Sequence, residues 1–155
     1  MTAAKRIDAL LADYGSYHRT RGNVACHAAG ISLILFGALS MLGAIRLGAL
    51  GSISPLTVAD VVAGVMILAY LALDPPLGLA MAAELAALDL LARAVDDWRV
   101  GLAAFALGWV FQGIGHAVFE KNKPAFLKNL AHLLVGPAFL VNELLRLRPV
   151  AAAAK

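Results

Sequence analysis

Charged residues and cysteine are scarce in this 155-residue chain. Only 15% of its residues are Asp, Glu, Lys or Arg, and Cys26 is the only cysteine. A single cysteine excludes an intramolecular disulfide and any CxxC metal or redox motif. The net charge of +3 is small, and no basic stripe with interleaved aromatic residues is present. A nucleic-acid partner is therefore not expected.

Apolar residues, by contrast, make up 61% of the chain, and the mean hydropathy is +0.81. Soluble domains contain about 45–50% apolar residues, and a short chain cannot bury so large an excess. The composition therefore predicts an all-α, polytopic membrane bundle that forms a single domain over residues 1–155, with membrane lipid as its surroundings. The N-terminus lacks a signal-peptide pattern, so the first apolar run is expected to be a retained segment.

Apolar runs in the sequence predict the individual helices. Four transmembrane helices are predicted at about residues 24–45, 57–73, 77–95 and 100–115, each from an apolar run of roughly 16–22 residues. A fifth apolar stretch at about 127–145 is predicted to form interfacial or re-entrant helices. It contains His132 and Glu143, which are costly in lipid, and the pair Gly136 and Pro137 is expected to break it.

The basic residues predict the orientation of this bundle. They concentrate before the first span and after the fourth, so with an even number of crossings both termini are expected to be cytoplasmic. The membrane would be the inner membrane of a bacterium or the endoplasmic reticulum of a eukaryote. Small residues such as Gly37 and Gly64 permit close helix packing, within one chain or in a homo-oligomer.

All four histidines of the chain fall at this one predicted membrane face. His18 and His27 flank the start of the first span, and His116 and His132 follow the fourth. Imidazoles that cluster with a carboxylate, here Glu120, are typical of an iron or zinc site. A histidine at a membrane interface is also commonly a polar residue at headgroup level, so that alternative stays open.

The spacing of the first two histidines predicts a break in the chain. Asn23 and His27 are four residues apart and share a helix face, and Asn23 is also a candidate helix cap. His18 is nine residues from His27, so on one continuous helix the two would point in opposite directions. Gly22 is the expected position of the break.

Two smaller predictions concern aromatic and charged side chains. Asp89 and Arg93, four residues apart, are expected to form an ion pair on one helix. An interfacial aromatic belt is expected from Tyr14, Tyr17, Trp98 and Trp109.

Three blocks of the sequence resemble, in order, the Mpo1-like (DUF962) family of small membrane proteins. They are YHRTRGNVACHAAG at 17–30, GHAVFEKNKPAF at 115–126 and GPAFLVNELL at 136–145. The resemblance implies an Fe(II)-dependent dioxygenase that uses O2 to shorten 2-hydroxy long-chain fatty acids by one carbon, with release of CO2. It implies His18, His27 and His116 as iron ligands and His132 as a weaker fourth candidate.

Other polar residues near these blocks have expected supporting roles. Glu120 and Asn23 are expected to orient the ligand histidines. The basic residues expected to attract the fatty carboxylate are Arg19, Arg21, Lys121 and Lys123. Two alternatives remain open, a zinc-dependent membrane hydrolase with Glu120 as general base and a non-enzymatic, lipid-organising membrane protein.

Overall fold

The computed structural model describes residues 3–48, 55–121 and 131–148. The described chain is helical apart from one short antiparallel strand pair, so the all-α prediction is confirmed. Its helices are α1 (Ala3–Ser16), α2 (Arg21–Gly43), α3 (Val58–Leu73), α4 (Pro75–Val95), α5 (Trp98–Ile114) and α6 (His132–Leu145). A π-helical segment, Gly115–Glu120, extends α5. The strands are β1 (Arg46–Gly48) and β2 (Leu56–Thr57).

Side-chain caps fix where the apolar helices begin. The Thr20 hydroxyl accepts a hydrogen bond from the backbone N–H of Asn23 at 3.3 Å, which makes Thr20 the cap of α2. The predicted capping role of Asn23 is therefore wrong, and the helix begins three residues before position 24. Thr57 caps α3 and Asp74 caps α4. Each cap satisfies a backbone N–H that the first helical turn leaves without a partner.

Glycines bring α2 and α5 into close contact along their length. A Cβ atom added at Gly37 would lie 2.4 Å from the carbonyl oxygen of Gly101, and one added at Gly108 would lie 2.6 Å from that of Gly30. Gly30 and Gly37 are seven residues apart on α2, as are Gly101 and Gly108 on α5. Seven residues make about two helical turns, so the two glycines of each helix lie on the same face. This seam sets the position of α5 and of the π-helical segment that follows it.

The Gly37→Ala substitution is expected to lower the melting temperature of the protein. The new methyl group would meet backbone atoms of α5 that cannot rotate away, and overpacking of this kind costs about 1–3 kcal/mol. Gly43→Ala is the matched control on the same helix, because a Cβ atom there has no atom within 4 Å. Thermal unfolding in detergent compares the two, and equal melting temperatures would contradict the close packing of the seam.

The helices α1 and α6 cover the outer side of the bundle. Ile7, Leu11 and Tyr14 of α1 pack in one apolar cluster with Phe139 of α6. Tyr14 is only 5% exposed, so its predicted place in an interfacial aromatic belt is wrong. The hydroxyl of Tyr70 donates a hydrogen bond to a backbone carbonyl of α6 at 2.6 Å, which fixes α6 against α3.

The helix α6 runs through the position where a break was predicted. Gly136 and Pro137 both lie inside it, and both are buried. Proline removes one hydrogen bond of the helix, but the packing of the neighbouring side chains Val135, Ala138 and Phe139 holds the helix together. The predicted break at this pair is wrong, and residues 127–130 of the predicted segment lie outside the described residues.

Two helices of the described chain are long and apolar enough to cross a membrane. They are Arg21–Gly43 and Trp98–Glu120, of 23 residues each. The helices Val58–Leu73 and His132–Leu145 are apolar but shorter, and α4 carries Glu84, Asp89 and Arg93. Four spans, a single membrane domain and cytoplasmic termini therefore stay predictions.

The outward faces of the bundle are markedly apolar. Leu68, Leu79 and Leu90 are each about two-thirds exposed, at 68%, 65% and 68%. Two charged groups of α4 form ion pairs: Arg93 pairs with Asp89 at 2.6 Å, as predicted, and with Asp60 of α3 at 2.5 Å. An apolar outer surface with paired charges is the arrangement that lipid surroundings favour.

Candidate metal centre

The four histidines meet in space around one cavity of about 200 Å³. The cavity lies between α2, the end of α5 and α6. Its polar lining is formed by Tyr14, His18, His27, Gln112, His116 and His132. Residues that are far apart in sequence thus place their imidazoles in one enclosed space.

Three of the histidines form a compact group. One ring nitrogen from each of His18, His27 and His116 lies within 4.8 Å of the other two. Two nitrogens bound to one ion at about 2.1 Å are at most about 4.2 Å apart, so small ring rotations would place all three on one metal. We call these three residues the histidine triad.

Local backbone hydrogen bonds orient two rings of the triad. The Nδ1–H of His18 donates to the carbonyl oxygen of Tyr14 at 2.8 Å, and that of His27 donates to the carbonyl oxygen of Asn23 at 3.0 Å. A carbonyl oxygen only accepts, so Nδ1 must carry the proton in the neutral ring. Each ring therefore presents the lone pair of Nε2 to the cavity, which is the arrangement found in histidine ligands.

Burial separates the triad from ordinary interfacial histidines. His18, His27 and His116 are 6%, 2% and 4% exposed, whereas a residue at headgroup level keeps its polar atoms in water. The Nε2 atom of His18 and the Nδ1 atom of His116 are buried without a hydrogen-bond partner among the described residues. Such atoms cost free energy unless something binds them, and the geometry therefore disfavours the interfacial alternative.

A turn between α1 and α2 brings His18 beside His27. The backbone N–H groups of Tyr17 and His18 donate to the carbonyls of Tyr14 and Gly15 at 3.1 and 3.0 Å, which ends α1. The predicted break between the two histidines thus exists, but it lies at residues 17–20. Gly22 is inside α2, where an added Cβ atom would lie 2.2 Å from the Phe119 ring.

The π-helical segment places the third ring of the triad. His116 is its second residue, and π-helical turns are frequent at functional sites because they shift side chains relative to an α-helix. Gly115 lets this segment approach α2, since a Cβ atom there would lie 2.4 Å from Oδ1 of Asn23 and 3.1 Å from Nδ1 of His27. Glycine at 115 is thus a condition for assembling the triad.

Glu120 and Asn23 support the site differently from the prediction. The Glu120 carboxylate accepts hydrogen bonds from the backbone N–H groups of Arg19 and Thr20, at 3.0 and 3.2 Å, and from the Thr20 hydroxyl at 2.9 Å. It also accepts one from the Asn23 side-chain amide at 3.1 Å. Neither of these two side chains bonds to a triad ring among the described contacts. They tie the end of the π-helical segment to the start of α2.

His132 lies in the cavity wall but outside the triad. Its Nε2 atom is 2.8 Å from the Asp13 carboxylate, and its ring meets those of Tyr14 and Tyr17 at 5.6 and 5.8 Å between centroids. Its Nδ1 atom is buried without a hydrogen-bond partner among the described residues, and a carboxylate on the other ring nitrogen is compatible with metal binding. Neither nitrogen of His132, however, belongs to the group of donor atoms within 4.8 Å of one another, so its role as a ligand stays a prediction.

The basic residues predicted to attract a carboxylate do not line the cavity. Arg19, Arg21 and Lys121 are exposed, and Nε of Arg19 donates to the carbonyl of Ser16 at 2.9 Å. Lys123 lies outside the described residues. Their attraction of a substrate through the surrounding solvent stays a prediction.

Comparison with known proteins gives the family. A family model described as 2-hydroxy-palmitic acid dioxygenase Mpo1-like matches residues 4–147. The chain belongs to the Mpo1-like family. It is 36% identical over 139 residues, 85% of its own length, to a Saccharomyces cerevisiae relative named 2-hydroxy-palmitic acid dioxygenase MPO1, of which it covers 75%. No solved structure matches the chain.

Two polar residues of this Mpo1-like cavity were missed from the sequence. Tyr14 stacks on the ring of His18, with centroids 4.0 Å apart and planes within 9°. Gln112 is buried beside the triad. Gln112 precedes His116 by four residues, so helical spacing combined with a polar residue in an otherwise apolar run was a usable signal. Tyr14 gave no such signal, because its contact depends on the turn after α1.

The apolar part of the cavity continues from the triad between α2, α5 and α6. Its wall is formed by Ile31, Ile34, Leu35, Trp109, Leu133 and Pro137. The cavity is thus lined by imidazoles and an amide together with apolar side chains, which is the composition typical of small-molecule sites.

We expect the metal-free protein to lose stability as the pH falls from about 6.5 towards 4. Burial lowers the pKa of His18 to about 4 from an unfolded value of 6.5, so in this interval only the unfolded chain gains a proton there. Protonation of the unfolded state lowers the free energy of unfolding. Melting temperatures of chelator-treated protein at pH 7 and pH 5 measure the effect, which should be smaller in His18→Asn. An equal pH dependence in both proteins would contradict it.

Proposed function

We propose that this chain is a membrane-embedded, Fe(II)-dependent dioxygenase that converts a 2-hydroxy long-chain fatty acid to the acid one carbon shorter. The observation that carries the proposal is the histidine triad, three buried imidazoles that open onto an apolar cavity. The family and the S. cerevisiae relative, named as a 2-hydroxy-palmitic acid dioxygenase, support the substrate class.

The triad fits an iron ion by its donor set. Imidazole nitrogens suit divalent iron, and three protein ligands leave coordination positions open. The buried Nε2 atom of His18 and Nδ1 atom of His116 lack partners among the described residues, which is the condition of ligand atoms without their metal. When bound, iron would supply a site for O2 and for chelation by the carboxylate and 2-hydroxyl of the substrate.

The overall reaction balances without a further reductant. R–CH(OH)–COOH and O2 give R–COOH, CO2 and H2O. Loss of C1 as CO2 and oxidation of C2 to the new carboxylate supply the four electrons that O2 takes up. Neither 2-oxoglutarate nor an external electron donor is needed.

The chain's own residues would orient the ligand rings and exclude water from the cavity. His18 and His27 are held in the Nε2-facing orientation by the carbonyls of Tyr14 and Asn23, so only small ring rotations would precede binding. The apolar wall formed with Ile31 and Leu133 holds the acyl chain and excludes water. The substrate head is thereby directed to the triad.

The contacts of Glu120 argue against the hydrolase alternative. A general base needs a carboxylate oxygen free to take a proton from water. Here the two oxygens of Glu120 accept four hydrogen bonds from Arg19, Thr20 and Asn23, so the carboxylate is occupied by the turn that it holds. We therefore favour the dioxygenase.

The test combines metal content with product identity. Protein purified without oxygen should contain iron, and with 2-hydroxypalmitate and O2 it should give the 15-carbon acid, CO2 and O2 uptake without added 2-oxoglutarate. Palmitate should react poorly, because it lacks the second oxygen of the chelate. Stoichiometric zinc with ester or amide cleavage would overturn the proposal, as would equal turnover of the two acids.

A further inference from the structure

The side chain of Gln112 is a buried amide inside the cavity. It is 8% exposed, and its Nε2 atom has no hydrogen-bond partner among the described residues. A buried donor left without a partner is destabilising, and an alkyl chain cannot satisfy it. An oxygen atom of a molecule that enters the cavity would supply the missing acceptor.

The position of Gln112 places that oxygen close to the triad. Gln112 lies on α5, four residues before His116 of the π-helical segment, and across the seam its Nε2 atom would be 2.8 Å from a Cβ atom added at Gly30. Gly30 is about one turn beyond His27 on α2. The amide thus lies about one turn from two triad residues and lines the same cavity.

We propose that Gln112 is a substrate-positioning residue that donates a hydrogen bond from Nε2 to the carboxylate–hydroxyl head of the 2-hydroxy fatty acid. This inference rests on the proposed function. The head carries the three oxygens of such a substrate, and the remaining carbon chain offers no acceptor. Gln112 thus holds the head beside the triad.

The test measures binding and turnover in iron-loaded protein. Gln112→Met keeps the length and helical preference of the side chain but removes the amide. A hydrogen bond to a charged group is worth about ten- to a hundredfold in affinity, so Kd for 2-hydroxypalmitate should rise by that factor, and kcat/KM should fall with it. Kd for 1-hexadecanol, which has no carboxylate, should change less.

Iron content and melting temperature separate positioning from a structural role. In Gln112→Met the iron content should match the wild type, and the melting temperature of the iron-free protein should be equal or higher, because the substitution removes a buried donor that has no partner among the described residues. Val110→Ala is the control on the same helix, at a side chain that is 54% exposed, and its Kd should not change. If Gln112→Met does not fold, Gln112→Glu keeps the size and polarity, and its charge should weaken binding of the substrate carboxylate even more strongly.

The outcomes distinguish this inference from the proposed function. If the wild type turns over 2-hydroxypalmitate and Gln112→Met, or Gln112→Glu in its place, binds and converts it equally well, only the role of Gln112 is overturned. If the wild type neither binds nor converts 2-hydroxypalmitate, the proposed function fails, and this inference fails with it.

Discussion

Replacing His18, His27 or His116 with alanine is expected to remove bound iron and abolish turnover of 2-hydroxypalmitate. Each substitution deletes one of the three nitrogens that lie within 4.8 Å of one another, and two imidazoles are not enough to hold a divalent ion in an open site. Iron per protein and product formation are measured on the same preparations. Near-complete loss is expected for each of the three.

The matched control for these substitutions is His132→Ala. His132 lines the same cavity and is equally buried, but its nitrogens lie outside the group of donor atoms that the triad forms. We therefore expect this variant to keep its iron. If a triad variant retains full iron and full activity, the histidine cluster does not hold the metal. If His132→Ala loses its iron while one triad variant keeps it, His132 is a ligand in place of that triad residue.

The Glu120→Gln substitution is expected to weaken iron binding although it deletes no ligand. The substitution turns one acceptor oxygen into an N–H2 group that faces the donors of Arg19 or Thr20, so hydrogen bonds of this partly buried carboxylate are lost. The turn that precedes α2 would then loosen, and with it the rings of His18 and His116. Loss of a supporting contact of this kind typically costs about ten- to a hundredfold in metal affinity.

Metal titration and thermal unfolding test this prediction together. The melting temperature of the iron-free variant should fall as well, because the hydrogen bonds of Glu120 join chain segments about 100 residues apart. Lys121→Ala, at the exposed neighbouring residue, is the control and should leave both quantities unchanged. Full iron affinity combined with a lost rate would instead give Glu120 a direct part in the chemistry.

The sequence by itself determined the class of fold and the set of candidate ligands. A 61% apolar composition, divided into long apolar runs by caps and prolines, predicts a helical bundle, because a helix satisfies its own backbone hydrogen bonds within each run. The absence of histidine from the middle segments made the clustering of His18, His27 and His116 visible. The family pattern then indicated their use as ligands.

Only the tertiary structure decided how these residues meet. The turn at 17–20, not Gly22, brings His18 beside His27, since the carboxylate of Glu120 holds that turn from the other end of the chain. The same packing pairs His132 with Asp13 and leaves it outside the donor group of the triad. Contacts between distant segments of this kind leave no mark on local spacing.

Tertiary packing also explains the remaining differences between the predicted and the observed structure. Pro137 continues α6 because packing compensates the hydrogen bond that it lacks, and Tyr14 is buried because α1 folds over the cavity. In the sequence Gln112 is one polar residue in an apolar run, and only the packing of α5 against α2 buries its amide. Sequence records which groups are available, whereas the burial that leaves an imidazole or an amide without a partner is created only when the helices pack.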